Sequence, residues 1–408
     1  MKIRVYSPYF PHPVTEGAHQ VIYDQVRFLG LYHDVELITW KSRSDLADVS
    51  AFPPKVKWID WSKKTKESDI EVRQENLGAK LLRVAKSFFS RSASPEIFYY
   101  PPNVDQRRRL GECDLAIYHY SFSHSWLSRF KNPNEKRVSV YFHNLESNVF
   151  FDRAKQELNA FKKSVHLLNA KKLKRNEIAL NFLSDEIWQI SEVDLKDYAV
   201  RCDSDGSKEK SVESFEFKKA RQVYRPPTFD ADQFLNQQKH LSEWPVLGFL
   251  GGLDFLPNLQ SLDWILSELA PALKAKNFNG KIVSVGKNAP DWILKKGSEF
   301  SFYEHLGFVR DLENFWSHLT VMLIPHVTGS GVRIKLLESM ARGIHVMCNK
   351  AALDRIHADL KTSPLVFCSE DPAAWAAHIL ERTNFAAQKK PEFPRALSAA
   401  EVYKDFIR

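Results

Sequence analysis

Short apolar runs alternate with helix-length segments along the chain, and this alternation restricts the fold more than any other feature. "KIRVYSP" reads as a buried strand, and "DVELITW" reads as a second. Between them Val21, Val26, Leu29 and Leu31 fall close to helical spacing. A strand, a helix and a strand in that order make a βαβ unit, which requires a parallel sheet. "CDLAIYHY", "RVSVYFHN" and "DEIWQIS" continue the pattern, with a basic, polar excursion at roughly 60–95. Residues 152–182 read as one long helix. Ala154, Leu158, Phe161, Val165 and Leu168 hold a 4-3-4-3 spacing on one face. Lys162, Lys163, Lys171, Lys172, Lys174 and Arg175 make the other face basic. The polar segment 201–220 reads as a loop.

"YRPPTFDADQF" breaks the pattern, which then restarts. "PVLGFLGG", "GKIVSVG", "TVMLIPH" and "IHVMCN" read as strands. "PNLQSLDWILSELAPAL", with Pro257 near its first turn, and "VRIKLLESMARG", ended by Gly343, read as helices. The expectation is two doubly wound α/β domains, 1–228 and 229–385, with 386–408 packing back towards the first. A length of 408 residues lets each domain bury its own core.

The composition is globular, and no apolar run approaches the ~18–20 residues of a membrane span. "MKIRVYSPYF" lacks the long apolar segment of a signal peptide, so a cytoplasmic protein is expected. Cys113, Cys202, Cys348 and Cys368 form no CxxC pair, and buried free thiols are expected. A net charge of +8 favours an anionic partner: nucleic acid, a membrane surface or a phosphorylated ligand.

"HVTGSGVRIKLLESMARG" follows a strand directly. "TGSG" makes a tight turn, and a helix from about Val332 presents free N–H groups, an arrangement suited to phosphate. Arg333 and Lys335 in its first turn oppose the helix dipole at ~0.3–1 kcal/mol each. A bound phosphate would reverse that cost. Glu338 can accept two hydrogen bonds from a vicinal diol. The alternative is a glycine-capped helix with solvated charges. Neither GxxxxGK[ST] nor GxGxxG is present.

"IPHVTGSGVRIKLLESMARGIHV" closely resembles the nucleotide-sugar signature of GT-B glycosyltransferases, in the retaining family-4-like group. "HNLESN", "SDEIWQISEVD", "YRPPTFDADQF", "GFLGGLDFLPN" and "EHLGFVRDLENFW" resemble further segments of that group, in order, across most of residues 1–380. The resemblance implies two Rossmann-like domains facing a cleft, the first on the acceptor side and the second holding the donor. It makes Glu338 the second glutamate of an E-x7-E motif whose first position is Ser330 here. It places Gly251, Gly252, Gly329, Ser330, Gly331, Val332, Leu336, Leu337 and Glu338 at the donor. Relatives keep an Arg and a Lys after the first donor-domain strand. "GGLDFLPN" has neither, and charge bookkeeping assigns that role to Arg333 and Lys335. Gly17, beside Glu16, occupies the place of a Gly-Gly loop near the diphosphate. His143 ends a strand facing the donor sugar, or is satisfied by backbone. Asn144 and Glu146 are acceptor-side candidates, though Glu146 could equally cap the next helix. The base would be read near Lys287 to Ala289 and Val309-Arg310.

The implied reaction moves a sugar from a nucleoside diphosphate to an acceptor hydroxyl, with retention and without metal or cofactor. Asp203 to Asp205 falls in the polar loop and is not read as a metal site. The acceptor would be a glycan or lipid-linked glycan in cell-surface polysaccharide assembly. The basic faces would then meet anionic membrane at ~1 kcal/mol per residue. Nucleic acid is not expected, because Arg107-Arg108-Arg109 is a lone run. A sugar-nucleotide epimerase and a non-catalytic, degenerate GT-B protein are the alternatives.

Overall fold

The computed structural model describes the chain except residues 15, 42–46, 63–89, 102–103, 207–218, 230–242, 326–330, 382–393, 395–396 and 408. Two units separate: Met1–Thr228 with Ala399–Arg408, and Phe229–Ser398.

Among its described residues the first unit holds seven strands: β1 (Lys2–Tyr6), β2 (Asp34–Thr39), β3 (Val56–Asp60), β4 (Leu115–His119), β5 (Val138–Phe142), β6 (Glu186–Gln189) and β7 (Arg221–Tyr224). Every pairing is parallel, in the order β3-β2-β1-β4-β5-β6-β7. β4 and β5 are buried at every position, as strands covered on both faces must be. Helices α1 (Gly17–Tyr32), α2 (Glu146–Gln156), α3 (Ala160–Leu183) and α4 (Glu192–Gly206) join this unit.

The second unit pairs six strands in the order β10-β9-β8-β11-β12-β13, again all parallel. They are β8 (Val246–Leu250), β9 (Lys281–Val285), β10 (Tyr303–His305), β11 (Val321–Ile324), β12 (His345–Cys348) and β13 (Val366–Cys368). α5 (Leu256–Trp264) runs into a π-helical turn at Ile265–Leu269, just before Pro271. Proline donates no hydrogen bond and its ring crowds the carbonyl four residues back, which a π turn relieves. α6 (Ile334–Ala341) follows β11.

Several expectations need correcting. The helix of 152–182 is two helices, α2 and α3, broken at Glu157–Asn159. Glu157 accepts from the backbone N of Asn159 at 2.9 Å, and Asn159 caps α3 by accepting from the N of Lys162 at 3.0 Å. Leu158 and Phe161, read as core, are 99% and 63% exposed. The buried stripe of α3 instead carries Asn169, Ala170, Leu173, Asn176, Glu177 and Leu180. Its amides serve residues 91–96. Asn169 accepts from the N of Ser94 at 2.8 Å, and Asn176 donates to Glu96 at 2.8 Å. Hydrophobic periodicity cannot detect a face chosen by hydrogen bonds. Two cations of the basic face are also tied down: Lys172 donates to the carbonyl of Ser90 at 2.6 Å, and Arg175 to that of Arg91 at 3.0 Å.

The loop assigned to 201–220 is helical through Gly206, and Arg221 begins an unforeseen strand. Strands β3, β10 and β13 were also missed, being short and weakly apolar. Residues 63–89 of the basic excursion lie outside the described residues. Arg107 is wholly buried, 3.6 Å from Glu135, which also accepts from Tyr6 and Tyr118, both at 2.8 Å. Of the cysteines, Cys368 is exposed and not buried, and it pairs in register with Cys348.

Leu180 lies in the core cluster while Leu158 stands in solvent. Leu180→Ala should therefore cost about 2–5 kcal/mol in denaturant unfolding. Leu158→Ala should stay within about 0.5 kcal/mol of wild type.

Candidate functional site

In a parallel sheet all carboxyl strand ends lie on one edge, and ligands bind where the strand order reverses. That point falls between β1 and β4 in the first unit and between β8 and β11 in the second. Gly17 follows β1, Gly251 and Gly252 follow β8, and Gly331 follows β11 at these points, while His143, Asn144 and Glu146 follow β5.

In the second unit, β11 carries the chain to this edge. Gly329 and Ser330 lie outside the described residues. Gly331 has φ +78, a left-handed backbone that disfavours any side chain. Val332 follows, and Arg333 is the extended N-cap of α6. The helix thus begins two residues later than its sequence suggests. Side chains on a helix lean towards its N-terminus, and Lys335 does so. Its Nζ donates to the carbonyl of Leu250, the last residue of β8, at 2.5 Å, and to Asn258 Oδ1 at 3.3 Å. It also lies 4.7 Å from the Phe249 ring centroid. Asn258, on α5, donates to the carbonyl of Gly252 at 3.0 Å. A Cβ on Gly251 would stand 2.6 Å from Asn258, so only glycine lets this turn close. A shallow cavity lined by Phe249, Pro257, Asn258, Ser261, Arg333 and Lys335 opens here. Burial, and then the charge of Arg333, pull the Lys335 pKa down to about 7.

Glu338 lies one turn further along α6. Its Oε1 accepts from Arg342 Nε at 3.0 Å and Nη2 at 2.9 Å. Arg342 also chelates Glu313 at 2.9 and 2.8 Å. Burial raises the Glu338 pKa, and Arg342 partly offsets it. Leu336 and Leu337 were expected at the donor, but both side chains are buried in the apolar core with Met322 and Met340. They anchor α6 and present no side chain to the cavity. The base-reading candidates lie nearby, since Leu253 N donates to the carbonyl of Lys287 at 2.9 Å. Val309 and Arg310 follow β10.

In the first unit, Gly17 starts α1 with Glu16 as N-cap. His143 follows β5 and is buried, its Nε2 2.8 Å from Nδ1 of His119. Burial, and then the charge of His19, lower the His143 pKa to about 3, so the ring is neutral at physiological pH. Tyr120 stacks on it with centroids 4.5 Å apart. Tyr120 has φ +70, a strained backbone for a tyrosine and of a kind concentrated at functional sites. Its ring also stacks on Tyr99, which stacks on Phe122.

Asn144 donates to Glu146 Oε1 at 3.3 Å. Glu146 does not cap α2. That service comes from Glu177 of α3, which accepts from the backbone N of Ser147 at 3.0 Å and from its hydroxyl at 2.5 Å. Arg201 bonds Ser147 at 2.8 Å and Asn148 at 2.5 Å. Burial raises both Glu146 and Glu177 to about 7.

Residues 244–384 match the sequence model of the family described as Glycosyl transferases group 1. Residues 244–384 of the second unit are thus a group 1 glycosyltransferase domain, and the fold of the chain is GT-B. Its fold is similar to sucrose-phosphate synthase from Thermosynechococcus elongatus, at 15% identity and TM-score 0.58 over 95% of this chain and 91% of that one. It is also similar to an α,α-trehalose-phosphate synthase (UDP-forming) from Burkholderia xenovorans in complex with glucose-6-phosphate. The identity there is 11% and the TM-score 0.56, over 100% and 95% of the two chains. A structure described as trehalose-6-phosphate from E. coli bound with UDP-2-fluoro glucose shares 11% identity at TM-score 0.55, covering 100% of this chain and 94% of that one. At such identities the likeness carries the fold. No curated protein matches the chain.

Sequence reasoning missed Asn258, His119, Tyr120, Glu177, Glu313 and Arg342. Only Arg342 left a signal, because it stands four residues after Glu338 and that spacing pairs opposite charges on a helix.

Glu177 and Glu146 give a pH test. Both rise from 4.5 to about 7, so the folded enzyme holds protons that the unfolded chain releases across that window. Their stabilising contribution is complete below pH 4.5 and is lost as the pH climbs through 7. Each accounts for roughly 3 kcal/mol at most. In urea titrations at pH 5 and 8, Glu177→Gln should lose about half as much stability between the two as wild type. An unchanged difference would argue against the raised value.

Proposed function

We propose that this glycosyltransferase moves a sugar from a nucleoside-diphosphate sugar to a hydroxyl of a glycan or lipid-linked glycan. Anomeric configuration is retained and the cations at the strand end replace a metal. The proposed setting is cell-surface polysaccharide assembly on the cytoplasmic side of a membrane. The observation that carries the donor half is Lys335, a buried cation placed at the end of β8, in a cavity it shares with Arg333. Relatives set their diphosphate-binding Arg and Lys after that same strand. The structures similar in fold include one bound with UDP-2-fluoro glucose.

A leaving diphosphate gains charge as its bond to the anomeric carbon breaks. Preorganised cations in a dry site stabilise that charge, and removing one such group typically costs 10²–10³ in rate. Lys335 would take up a proton and Arg333 would add its fixed charge. In the front-face step the acceptor oxygen bonds to the anomeric carbon on the side the phosphate leaves. The acceptor proton passes to the departing phosphate oxygen. Neutral His143 serves as a hydrogen-bonding partner of the donor sugar, and Glu146, near its pKa at neutrality, meets the acceptor.

The acceptor half of the proposal draws on the α2–α3 turn. Leu158 and Phe161 project there, flanked by exposed Lys155, Lys162 and Lys163. An apolar tip within a cationic ring suits insertion into an anionic interface. Among the described residues no helix is long and apolar enough to cross a membrane.

Calorimetry of UDP, GDP, ADP and CDP should find one tight ligand. Lys335→Met and Glu338→Ala should each weaken it at least tenfold, or about 1.4 kcal/mol. Because an anion raises the pKa of a nearby lysine, binding at pH 8 should take up close to one proton, and little at pH 6. Buffers of different ionisation enthalpy read this directly. Binding of no nucleotide, or unaltered binding by Lys335→Met, would sink the donor assignment. For the membrane, co-sedimentation with phosphatidylglycerol vesicles should fall sharply in the double variant Leu158→Ser, Phe161→Ser. Equal sedimentation of both proteins would exclude the turn as the docking point.

A further inference from the structure

A buried hydrogen-bond chain runs from His143 to the C-terminal segment of the first unit. His143 Nε2 lies 2.8 Å from His119 Nδ1, and His119 Nε2 lies 2.9 Å from Gln25 Oε1. Gln25 Nε2 lies 3.3 Å from the hydroxyl of Tyr403. Tyr141 donates to the backbone carbonyl of Arg225 at 2.6 Å. His119, Gln25, Tyr141 and Tyr403 are all almost wholly inaccessible to solvent. The far end is held firmly. The Arg225 guanidinium bonds the carbonyl of Val402 and chelates Asp405, at 2.9 and 2.5 Å. It lies 4.9 Å from the Trp188 ring centroid.

The Gln25 amide sets the direction of the links. Its Nε2 donates to the Tyr403 hydroxyl and its oxygen faces His119, which must carry its proton on Nε2, because an amide oxygen only accepts. Neutral imidazole has one N–H, so Nδ1 of His119 is an acceptor. His143 must donate to it from Nε2, and its own Nδ1 bears a lone pair. Both rings are neutral, since burial disfavours the charged form of each and lowers both pKa values.

We infer that Tyr403 and Gln25, acting through His119, are positioning residues that hold His143 in the Nε2–H tautomer. Whatever group Nδ1 of His143 meets, it meets as an acceptor. A donor-sugar hydroxyl would therefore give its proton into that bond. This inference rests on the proposed place of His143 beside the donor sugar only for its effect on rate. The tautomer itself follows from the chain of bonds. The C-terminal segment, distant in sequence, thus acts on the chemistry through a path of side chains with one polarity.

The test uses the full chain with 15N-labelled histidine and long-range proton–nitrogen correlation spectra, with His143 assigned by difference from His143→Gln. In wild type, Nδ1 of His143 should resonate as an unprotonated ring nitrogen and Nε2 as a protonated one. Tyr403→Phe and Gln25→Met each cut the chain and should shift both His119 and His143 towards mixed tautomers. A protonated Nδ1 in wild type, or spectra unmoved by both cutting variants, would overturn the inference. For release of nucleoside diphosphate from the donor identified by calorimetry, Tyr403→Phe should lower kcat on the order of tenfold. Donor KM should stay within about twofold. A shifted tautomer with unchanged kcat would keep the relay and remove His143 from the proposed mechanism.

Discussion

Parallel pairing is the constraint on which the rest of this molecule depends. Because every strand in both sheets runs the same way, each unit gathers its strand ends along one edge. Residues far apart in sequence arrive there together. Leu250 ends β8 and Gly331 follows β11, the two strands at the reversal of the second sheet. In the first sheet Tyr120 follows β4 and His143 follows β5. Crossover helices bury both sheet faces, which is why the strands read as unbroken apolar runs.

The second theme is burial of ionisable groups at those edges. Water withdrawn from a charge favours the neutral form, so the lysine moves down and the carboxyls move up. Lys335 and Glu146 both arrive near 7, from opposite directions. Each is therefore poised to exchange a proton when a ligand changes the local field. His143 is driven far enough that it stays neutral. Glu338 is restrained by Arg342, which Glu313 in turn holds, so its position on α6 is determined by a network and not by one pair.

Much of this was legible beforehand. The alternation of strands and helices, the break after residue 224 and the Gly-Ser-Gly stretch all carry local signals. Lys335 reaches the end of β8, where the "GGLDFLPN" turn itself carries no cation. The errors have a common cause. The apolar spacing through Leu158 and Phe161 continued across a break made by side-chain capping at Glu157 and Asn159. Short strands such as β7 and β10 are held by pairing with neighbours and need few apolar residues of their own. Leu336 and Leu337 sit in a motif associated with ligand, yet their chemistry is that of a helix anchor.

By itself the sequence determined the two α/β units and, for the strands with strong apolar runs, their order along the chain and the residue types at their ends. Those depend on periodicity and on turn residues, which act over a few positions. Only the tertiary structure decided that Glu177 caps α2, that Lys335 reaches Leu250 and that Tyr403 closes a chain to His143. These partners are separated by 30, 85 and hundreds of residues. Their meeting is set by sheet order and burial, and hydrogen-bond polarity then leaves one consistent arrangement of protons.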